Sequence, residues 1–388
     1  MSRIIYIANI TLPSERTHGI QIMKTCEALA QSGEQLELWI TNRKKGGKER
    51  IFPDDIFDFY GIKHKFPIKK IPVLEFLSKK CKAYFYLESF SFIVMIFFAL
   101  LRERGDFIIY TRDESVQFLG LFTGKKFFWE AHIDLKFNFL RKIRLKKICG
   151  IIAISESFKN IIINKYGVNP DKISIAHDAV DLEEFSNFLP QKKARELLNM
   201  PQDKKIVLYV GGVMKKKGIF VLLDTAAMMN SDWLFEIVGW FVHDESDKAK
   251  KYVEERKIDN VVFRGYAPRN EIINYLAAAD ALVIPNSSLY EETRLFTSPM
   301  KLFEYMSSGR PIVASATPTM LEILNEKNAG LVEPDNPEAL KNGLFKIFQN
   351  KDLAESLAEN SKKDVQNHTW TKRAEKISAF IKERLANK

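Results

Sequence analysis

The stretch SPMKLFEYMSSGRPIVAS, residues 298–315, predicts a short helix followed directly by a buried strand. Ser298 is a good N-cap residue, and Pro299 suits the first helical position, where its missing N–H costs nothing. Gly309 can end the helix in a left-handed conformation. The apolar run at 312–314 then reads as a strand. A helix that leads straight into a buried strand is typical of a parallel α/β sheet.

Two charged residues, Lys301 and Glu304, fall outside the apolar pattern of this helix. Leu302, Phe303 and Met306 share one face at helical spacing, so we expect them to pack inward. One interpretation of the charged pair is a solvated contact at i and i+3, worth about 0.2–0.5 kcal/mol. The other is a face that lines a cleft, where the helix N-terminus offers free N–H groups to an anion. The helix taken alone favours the solvated pair.

Length and composition indicate an ordinary globular protein with two domains. The chain has 388 residues, more than one hydrophobic core usually supports. Its apolar fraction of 46% and charged fraction of 28% exclude a disordered chain. The first residues, MSRIIYIANI, read as a buried strand rather than a signal peptide, and three scattered cysteines suggest reduced thiols. We therefore expect a cytoplasmic protein.

Strand-like apolar runs alternate with helical stretches along both halves of the chain. The runs begin near Ile4, Leu36, Phe107, Lys126, Ile151, Ile173, Ile206, Leu234, Val261, Ala281, Ile312 and Gly330. A polar stretch at 183–204 separates the two halves. The pattern predicts an α/β protein with two Rossmann-like, doubly wound domains that face each other across a cleft. We place the domains at residues 1–190 and 191–366, and a C-terminal amphipathic helix within 367–388.

The net charge of +10 is concentrated in two basic runs of the first half, residues 63–82 and 136–147. Aliphatic and aromatic residues are interleaved with the lysines and arginines of both runs. A charge run is most often a solvated face, but two such runs in one domain favour contact with an anionic membrane surface. Nucleic acid is not an expected partner, because no helix-turn-helix, zinc finger or RNA-binding signature is present.

The most hydrophobic segment is FSFIVMIFFALL, residues 90–101. It has about half the length that a membrane-spanning helix needs. The segment therefore favours a buried helix of the first domain, with a helix lying in the membrane interface as the alternative.

The loop GGVMKKKG, residues 211–218, follows a predicted strand and precedes a predicted helix. Its glycines let the backbone approach a ligand, while its lysines and the helix N-terminus favour a phosphate. The loop is neither a P-loop nor a GxGxxG motif, and a tight turn with exposed lysines explains it equally well. Tyr266 and the 286–297 loop also follow strand ends of the same predicted sheet. We therefore expect a nucleoside diphosphate here, with its base near Tyr266 and its ribose at Glu304.

Taken together, these motifs resemble the family 4 retaining glycosyltransferases, whose two-Rossmann-domain architecture is called GT-B. The resemblance is strongest in SPMKLFEYMSSGRPIVAS and is clear in YVGGVMKKKG, VVFRGYAPRNEI, AADALVIPNS and GLVEPDNPEAL. In the first half, WEAHID, IAHDAVDLEEF and SERTHGIQ are similar to the family's His-bearing loop, its segment before the hinge and its first loop.

The resemblance implies a retaining hexosyltransferase that uses a UDP- or GDP-linked sugar and requires no metal or other cofactor. It also implies that the helix within 367–388 crosses back to the first domain. The acceptor would be a glycan hydroxyl, and the two basic runs favour a lipid-linked glycan of bacterial surface polysaccharide or lipopolysaccharide assembly. The alternatives are a GT-B nucleotide-sugar 2-epimerase and a catalytically silent relative that binds a glycan or a partner protein.

Carried over residue by residue, the resemblance implies two donor-binding elements and one histidine. Lys217 would contact the diphosphate, Glu304 would bind the ribose, and His132 would lie near the transferred sugar. The other donor-side positions are in the loop and at the helix start: Gly211, Gly212, Ser298, Pro299, Met300 and Lys301. Arg16, His18 and Arg112 follow first-domain strands and would serve the acceptor side.

Two positions depart from the family pattern. The family has a Glu eight residues before Glu304, where this chain has Phe296, and an Arg five residues before Lys217, where this chain has Gly212. The second cation for the diphosphate must therefore come from elsewhere. The preferred candidate is Arg294, and Lys215 and Lys301 are the second choices.

Overall fold

The computed structural model describes residues 3–14, 16–43, 55–74, 82–132, 139–239 and 243–386, which form two compact units. The first unit is Met1–His177 with Trp370–Lys388, and the second is Asp178–Thr369. The first unit thus ends earlier than the predicted boundary at residue 190. The reason is packing, because Val180 and Phe185 are buried in the core of the second unit.

The first unit is built on a parallel sheet. Its strands are β1 (Arg3–Ala8), β2 (Leu36–Thr41), β3 (Ile68–Ile71), β4 (Phe107–Thr111), β5 (Lys126–Ala131), β6 (Gly150–Ala153) and β7 (Ile173–Ile175). Its helices are α1 (Thr17–Gln31), α2 (Ile56–Phe59), α3 (Lys82–Arg102), α4 (Leu119–Phe122), α5 (Phe139–Lys147), α6 (Glu156–Tyr166) and the C-terminal α16 (Trp370–Ala386). The strand order is β3-β2-β1-β4-β5-β6-β7, and all neighbours are parallel. The carboxyl ends of these strands therefore meet at one edge.

Strand β3 lies inside the first basic run and was not predicted. It pairs with β2, and the run is partly neutralised by ion pairs. The Lys69 ammonium group lies 2.7 Å from a Glu103 carboxylate oxygen, and Lys65 lies 2.6 Å from Asp55. Residues 75–81 of the run lie outside the described residues.

The second basic run forms helix α5, and its residues 136–138 lie outside the described residues. Arg141 and Arg144 both form ion pairs with Glu114. Lys146 and Lys147, in contrast, are exposed. This run therefore offers exposed positive charge at the end of the helix.

The apolar segment at 90–101 forms most of α3, but the prediction that this helix is buried is wrong for one of its faces. Phe92, Ile96 and Leu100 are buried. Phe90 is 64% exposed, and Leu87, Phe98 and Leu101 are also exposed on the same helix. The segment is apolar all round, so its sequence does not reveal which face packs inward.

Helix α16 packs against α1 of the first unit. Ala374, Ile377 and Ile381 are buried along its inner face. The amphipathic pattern of the C-terminal segment therefore buries this stripe within the same unit as residues 1–177.

The second unit has its own parallel sheet. Its strands are β8 (Lys205–Val210), β9 (Trp233–Val238), β10 (Val261–Gly265), β11 (Ala281–Ile284), β12 (Ile312–Ser315) and β13 (Gly330–Val332). Its helices are α7 (Gln191–Leu197), α8 (Ile219–Ala227), α9 (His243–Glu255), α10 (Arg269–Ala278), α11 (Glu291–Leu295), α12 (Met300–Ser307), α13 (Pro318–Leu321), α14 (Pro337–Gln349) and α15 (Lys351–Asp364). The strand order is β10-β9-β8-β11-β12-β13, with parallel neighbours. The loops after β8 and β11 and the start of α12 thus lie at one edge of the sheet.

Helix α12 begins one residue later than predicted. Pro299 occupies the N-cap position, and the Ser298 hydroxyl instead accepts a hydrogen bond from the Asp178 amide at 2.8 Å. Gly309 has φ +70°, which confirms the predicted left-handed end. The apolar face is buried as expected.

Replacement of two glycines tests how the loop at 211–218 is held. Gly218 has φ +76°, and an added Cβ would lie 1.6 Å from the Pro285 carbonyl oxygen. Gly309 has a similar φ but open space around it. Gly309→Ala is expected to lower the free energy of unfolding by about 1 kcal/mol, and Gly218→Ala by more than about 3 kcal/mol. Equal shifts of the two melting temperatures would contradict this packing.

Candidate functional site

The loop at 211–218 is held by close backbone contacts. Gly211 has φ +146°, and an added Cβ on Gly239 would lie 2.3 Å from the Gly211 carbonyl oxygen. The Tyr209 hydroxyl donates to the Gly212 carbonyl at 2.9 Å. The loop therefore presents a backbone path with no side chain at its first two positions, which suits a ligand that needs close approach.

Lys217 lies in a 3₁₀ turn at the end of this loop, directly before α8. Burial is the main reason that its pKa is lowered to about 8, and neighbouring Lys216 lowers it further. Glu292 acts in the opposite direction, although its carboxylate is hydrogen-bonded to Lys216 at 2.7 Å. Lys217 is thus a cation whose charge the surrounding protein does not fully offset.

Lys301, in the first turn of α12, is a second cation whose charge is only partly offset, in this case by Glu304. Its ammonium nitrogen is buried, and no described residue hydrogen-bonds to it. It lies 4.0 Å from the ring centroid of Tyr209 and close to Gly211. Burial and the charge of Lys217 both hold its pKa well below the usual value for lysine. The structure therefore brings Lys217 and Lys301, from two different elements, to the same edge of the sheet.

Asn286 opens the loop after β11 that the sequence predicted at this edge, but it was not among the predicted donor-binding residues. Its side chain is fully buried, and neither its amide nitrogen nor its oxygen has a partner among the described residues. The loop touches the lysine loop, because the Ser287 amide donates to the Lys216 carbonyl at 3.2 Å. A buried amide without partners is expensive in a folded protein unless a ligand completes it. Asn286 is therefore a candidate ligand contact beside the lysines.

Arg294, the preferred second cation, lies on the short helix α11. Its Nε is buried without a described hydrogen-bond partner. For Lys301, in contrast, the charge of Lys217 is one cause of its lowered pKa. Lys215 is exposed. The geometry therefore favours Lys301 over Arg294 and Lys215 as the second cation.

Glu304 is 6% exposed and is tied to an arginine that sequence analysis missed. The Arg269 guanidinium donates to Glu304 at 2.7 Å and contacts Glu184 at 2.6 Å. Among the described ion pairs, none joins Lys301 to Glu304, so the interpretation as a solvated pair is wrong. Arg269 is the first residue of α10. The sequence prediction for the segment between β10 and α10 named Tyr266 instead, because an aromatic side chain was expected to contact the base.

The remaining donor-side positions are defined by their place in the fold rather than by a particular side-chain contact. Tyr266 follows β10 and is 38% exposed. Phe296, which stands where the family has Glu, is buried. Pro299 and Met300 precede and open α12, whose N-terminus has no side-chain cap. The first amide groups of this helix are therefore directed to the same edge as the two lysines.

In the first unit, His132 follows β5 and is 10% exposed. Its Nε2 lies 2.6 Å from an oxygen of Glu130, which is fully buried. Burial and the nearby charge of Arg112 lower the pKa of His132 to about 4. His132 is therefore a neutral imidazole at neutral pH.

The predicted acceptor-side residues form a basic group in the first unit. Burial, then Arg112, then Arg16 lower the pKa of His18 to about 4. The Arg112 guanidinium donates to Gln21 at 2.7 Å. These side chains belong to the start of α1 and to the end of β4, so they lie at the carboxyl edge of the first sheet. Such a group suits an anionic or hydroxyl-rich ligand.

The described residues contain neither a candidate membrane-spanning helix nor a candidate metal site. No helix among them is long and apolar enough to cross a membrane. No three of their His, Cys, Asp or Glu side chains cluster closely enough to hold a metal ion.

Solved structures that resemble this chain define its fold class. Sucrose-phosphate synthase from Thermosynechococcus elongatus superposes with a TM-score of 0.80 over 100% of both chains, at 19% identity. HepE from Anabaena, in complex with UDP-glucose, superposes with a TM-score of 0.73 over 99% of this chain and 100% of that chain, at 14% identity. These neighbours confirm the predicted two-domain α/β fold of the GT-B class.

Part of the sequence matches a known family. Residues 190–364 match the model of the family described as glycosyl transferases group 1. A curated Escherichia coli relative, the UDP-Gal:alpha-D-GlcNAc-diphosphoundecaprenol alpha-1,3-galactosyltransferase, is 23% identical over 82% of this chain and 88% of its own. The chain covers 53% to 61% of the length of three other curated relatives.

Replacement of Lys301 by Met separates stability from ligand binding. Because the charge of Glu304 does not make up for the burial of this ammonium group in the free protein, Lys301→Met is expected to raise the free energy of unfolding by about 1–3 kcal/mol. Thermal unfolding without ligand measures the change. The control is Lys215→Met, an exposed lysine of the neighbouring loop, expected to change it by less than about 0.5 kcal/mol. A lower melting temperature for Lys301→Met would show that the ammonium group is already compensated.

Proposed function

We propose that this protein is a retaining glycosyltransferase that moves a sugar from a nucleotide-diphosphate sugar to a hydroxyl of a glycan acceptor. The observation that carries the proposal is the pair of half-buried lysines, Lys217 and Lys301, at the carboxyl edge of the second sheet, whose charges Glu292 and Glu304 offset only in part. Two buried cations side by side are costly in a folded protein and become favourable when a dianionic group lies between them. The diphosphate of the donor is such a group.

In the proposed reaction this site stabilises the leaving group, which is the nucleoside diphosphate. The bond between the anomeric carbon and the diphosphate oxygen breaks, the acceptor oxygen bonds to that carbon on the same face, and the hydroxyl proton leaves with the nucleoside diphosphate. Lys217, Lys301 and the amide groups that open α12 stabilise the charge that grows on the diphosphate. Glu304, held by Arg269, accepts hydrogen bonds from the ribose hydroxyls. No metal is assigned a role.

The names of similar proteins support the choice of donor and acceptor. HepE was crystallised with UDP-glucose, and the Escherichia coli relative is named for transfer from UDP-Gal to a lipid-diphosphate-linked sugar. We therefore propose a UDP-linked hexose as the donor, ahead of a GDP-linked one, and a lipid-linked glycan of surface polysaccharide assembly as the acceptor.

Nucleotide binding tests the donor site. UDP at about 100 times its Kd is expected to stabilise the protein by about 2.7 kcal/mol, and GDP and ADP less, in a thermal-shift titration. Lys217→Met removes a phosphate contact and is expected to weaken UDP binding at least about 10-fold. Glu304→Gln should weaken UDP more than inorganic diphosphate, since that carboxylate serves the ribose.

The matched control for this titration is again Lys215→Met, which should bind UDP as the wild type does. Absence of stabilisation by every nucleoside diphosphate would contradict the proposal and favour a silent relative. Conversion of a UDP-sugar without any acceptor would instead favour a 2-epimerase.

We also propose that the first unit contacts an anionic membrane through the exposed face of α3. Leu87, Phe90, Phe98 and Leu101 recur at helical spacing on that face and are 50% to 64% exposed. The turn before α4, which packs against α3, adds Phe118, and α4 itself adds exposed Phe122. Exposed Arg102 ends α3, and exposed Arg104 follows it. An apolar stripe with arginines at its end is the pattern of an interfacial helix.

Vesicle co-sedimentation tests this surface. Phe90→Ser with Phe98→Ser removes two large exposed apolar groups and is expected to lower binding to phosphatidylglycerol-containing vesicles by about 10-fold or more. The control pair, Leu197→Ser with Leu321→Ser, removes two exposed leucines of the second unit and should leave binding unchanged. Binding that is insensitive to the α3 pair, or to the anionic lipid content, would contradict the proposal.

A further inference from the structure

A buried carboxylate in the first unit, Glu130, collects hydrogen bonds from several elements. One of its oxygens accepts from Gln21 of α1, His132 after β5 and Arg373 of α16, at 2.5–2.6 Å. Its other oxygen accepts from the Tyr110 hydroxyl of β4 at 2.6 Å. Burial alone would raise the pKa of Glu130, but the charge of Arg373 and the bond to His132 hold it well below its usual value. Glu130 is therefore an ionised carboxylate with every partner in place.

An ionised carboxylate determines which imidazole nitrogen of His132 carries the proton. Glu130 has no proton to donate, so the bond between the two side chains requires a proton on Nε2 of His132. A neutral imidazole has one such proton, and Nδ1 is then a hydrogen-bond acceptor. No described residue bonds to Nδ1 of His132.

We propose that Glu130 is a positioning residue that fixes His132 as the Nε2-protonated tautomer, so that Nδ1 accepts a hydrogen bond from a hydroxyl of the sugar substrate. Arg373 of the C-terminal helix holds Glu130 in the orientation that this requires. The identity of the ligand as a sugar rests on the proposed function, whereas the tautomer rests on the hydrogen bonds of the first unit.

The guanidinium of Arg373 is itself held at three points. Besides Glu130, it donates to the Thr25 hydroxyl at 3.1 Å and to the His177 carbonyl at 3.0 Å. Thr25 lies on α1, so the contacts join the two helices that pack together in this unit. The planar fork of an arginine can satisfy three such acceptors at once, which a lysine cannot reproduce. Arg373 of the C-terminal helix is thus linked to His132 through the carboxylate of Glu130.

Two substitutions of His132 separate a ligand contact from a structural one. The amide nitrogen of Gln can reach the place of Nε2, and the amide oxygen of Asn can take the place of Nδ1. His132→Gln is expected to keep the melting temperature and to lower kcat about 10-fold or more, because it keeps the bond to Glu130 and loses the acceptor. His132→Asn is expected to lower the melting temperature and to retain more of kcat. Wild-type turnover in His132→Gln would overturn the proposal.

The tautomer can be measured without any substrate. In ¹⁵N spectra of the histidine-labelled protein, with the resonance assigned by its loss in His132→Gln, we expect a protonated Nε2 and an unprotonated Nδ1 from about pH 5.5 to 8. Glu130→Gln should change this pattern, because an amide can donate as well as accept. A proton on Nδ1, or titration near pH 6.5, would overturn the inference. Lack of transfer by the wild type would contradict the proposed function but would leave this result intact.

Arginine variants of α16 test whether Arg373 acts on His132 through Glu130. Arg373→Lys is expected to lower kcat about 10-fold with little change in the KM for the nucleotide sugar. Arg384→Lys is the control on the same helix, since Arg384 donates to the Cys149 carbonyl at 3.1 Å and does not touch Glu130. Equal effects of the two substitutions would show that Arg373 only docks the helix, and would overturn its assigned role.

Discussion

Contact of backbone with backbone is the constraint on which the site of the second unit depends. The loop after β8 meets the loop after β11 where Gly218 lies against the Pro285 carbonyl, and it meets the end of β9 where Gly239 lies against Gly211. A side chain at Gly218 or Gly239 would push these loops apart. Because the strands are parallel, three loops and the start of α12 already share one edge, and the glycines bring them close enough to surround one small anionic group.

The two units differ in whether their buried charged groups have hydrogen-bonding partners of opposite charge. In the second unit no carboxylate among the described residues is bonded to the half-buried Lys217 or Lys301, and burial lowers the pKa of both. In the first unit Glu130 is buried with all its donors present, and its pKa is lowered because the ionised form is so well held. An uncompensated cation indicates a place for an anionic ligand, whereas a compensated carboxylate indicates a rigid support for its neighbour His132.

The sequence predicted the alternation of strands and helices well, because strands buried on both faces leave continuous apolar runs. It missed β3, whose two lysines broke that pattern, and it placed the domain boundary too late, because the polar stretch was more visible than the buried Val180. At the site it predicted the lysine loop and Glu304 through motifs. It missed Arg269 and Glu130, whose roles depend on partners far away in the chain, and it ranked Arg294 above Lys301 because sequence distance does not show which cation lies beside Lys217.

Proton uptake on UDP binding tests the central claim most directly. At about pH 9 a free Lys217 with a pKa near 8 is mostly neutral, and a diphosphate bound beside it should raise that pKa and draw a proton from solution. Calorimetric titration in buffers of different ionisation enthalpy measures the number of protons taken up per UDP bound. The account predicts net uptake by the wild type that is reduced in Lys217→Met and in Lys301→Met. UDP binding with no proton uptake, or uptake unchanged in both variants, would contradict the assignment of these lysines to the diphosphate.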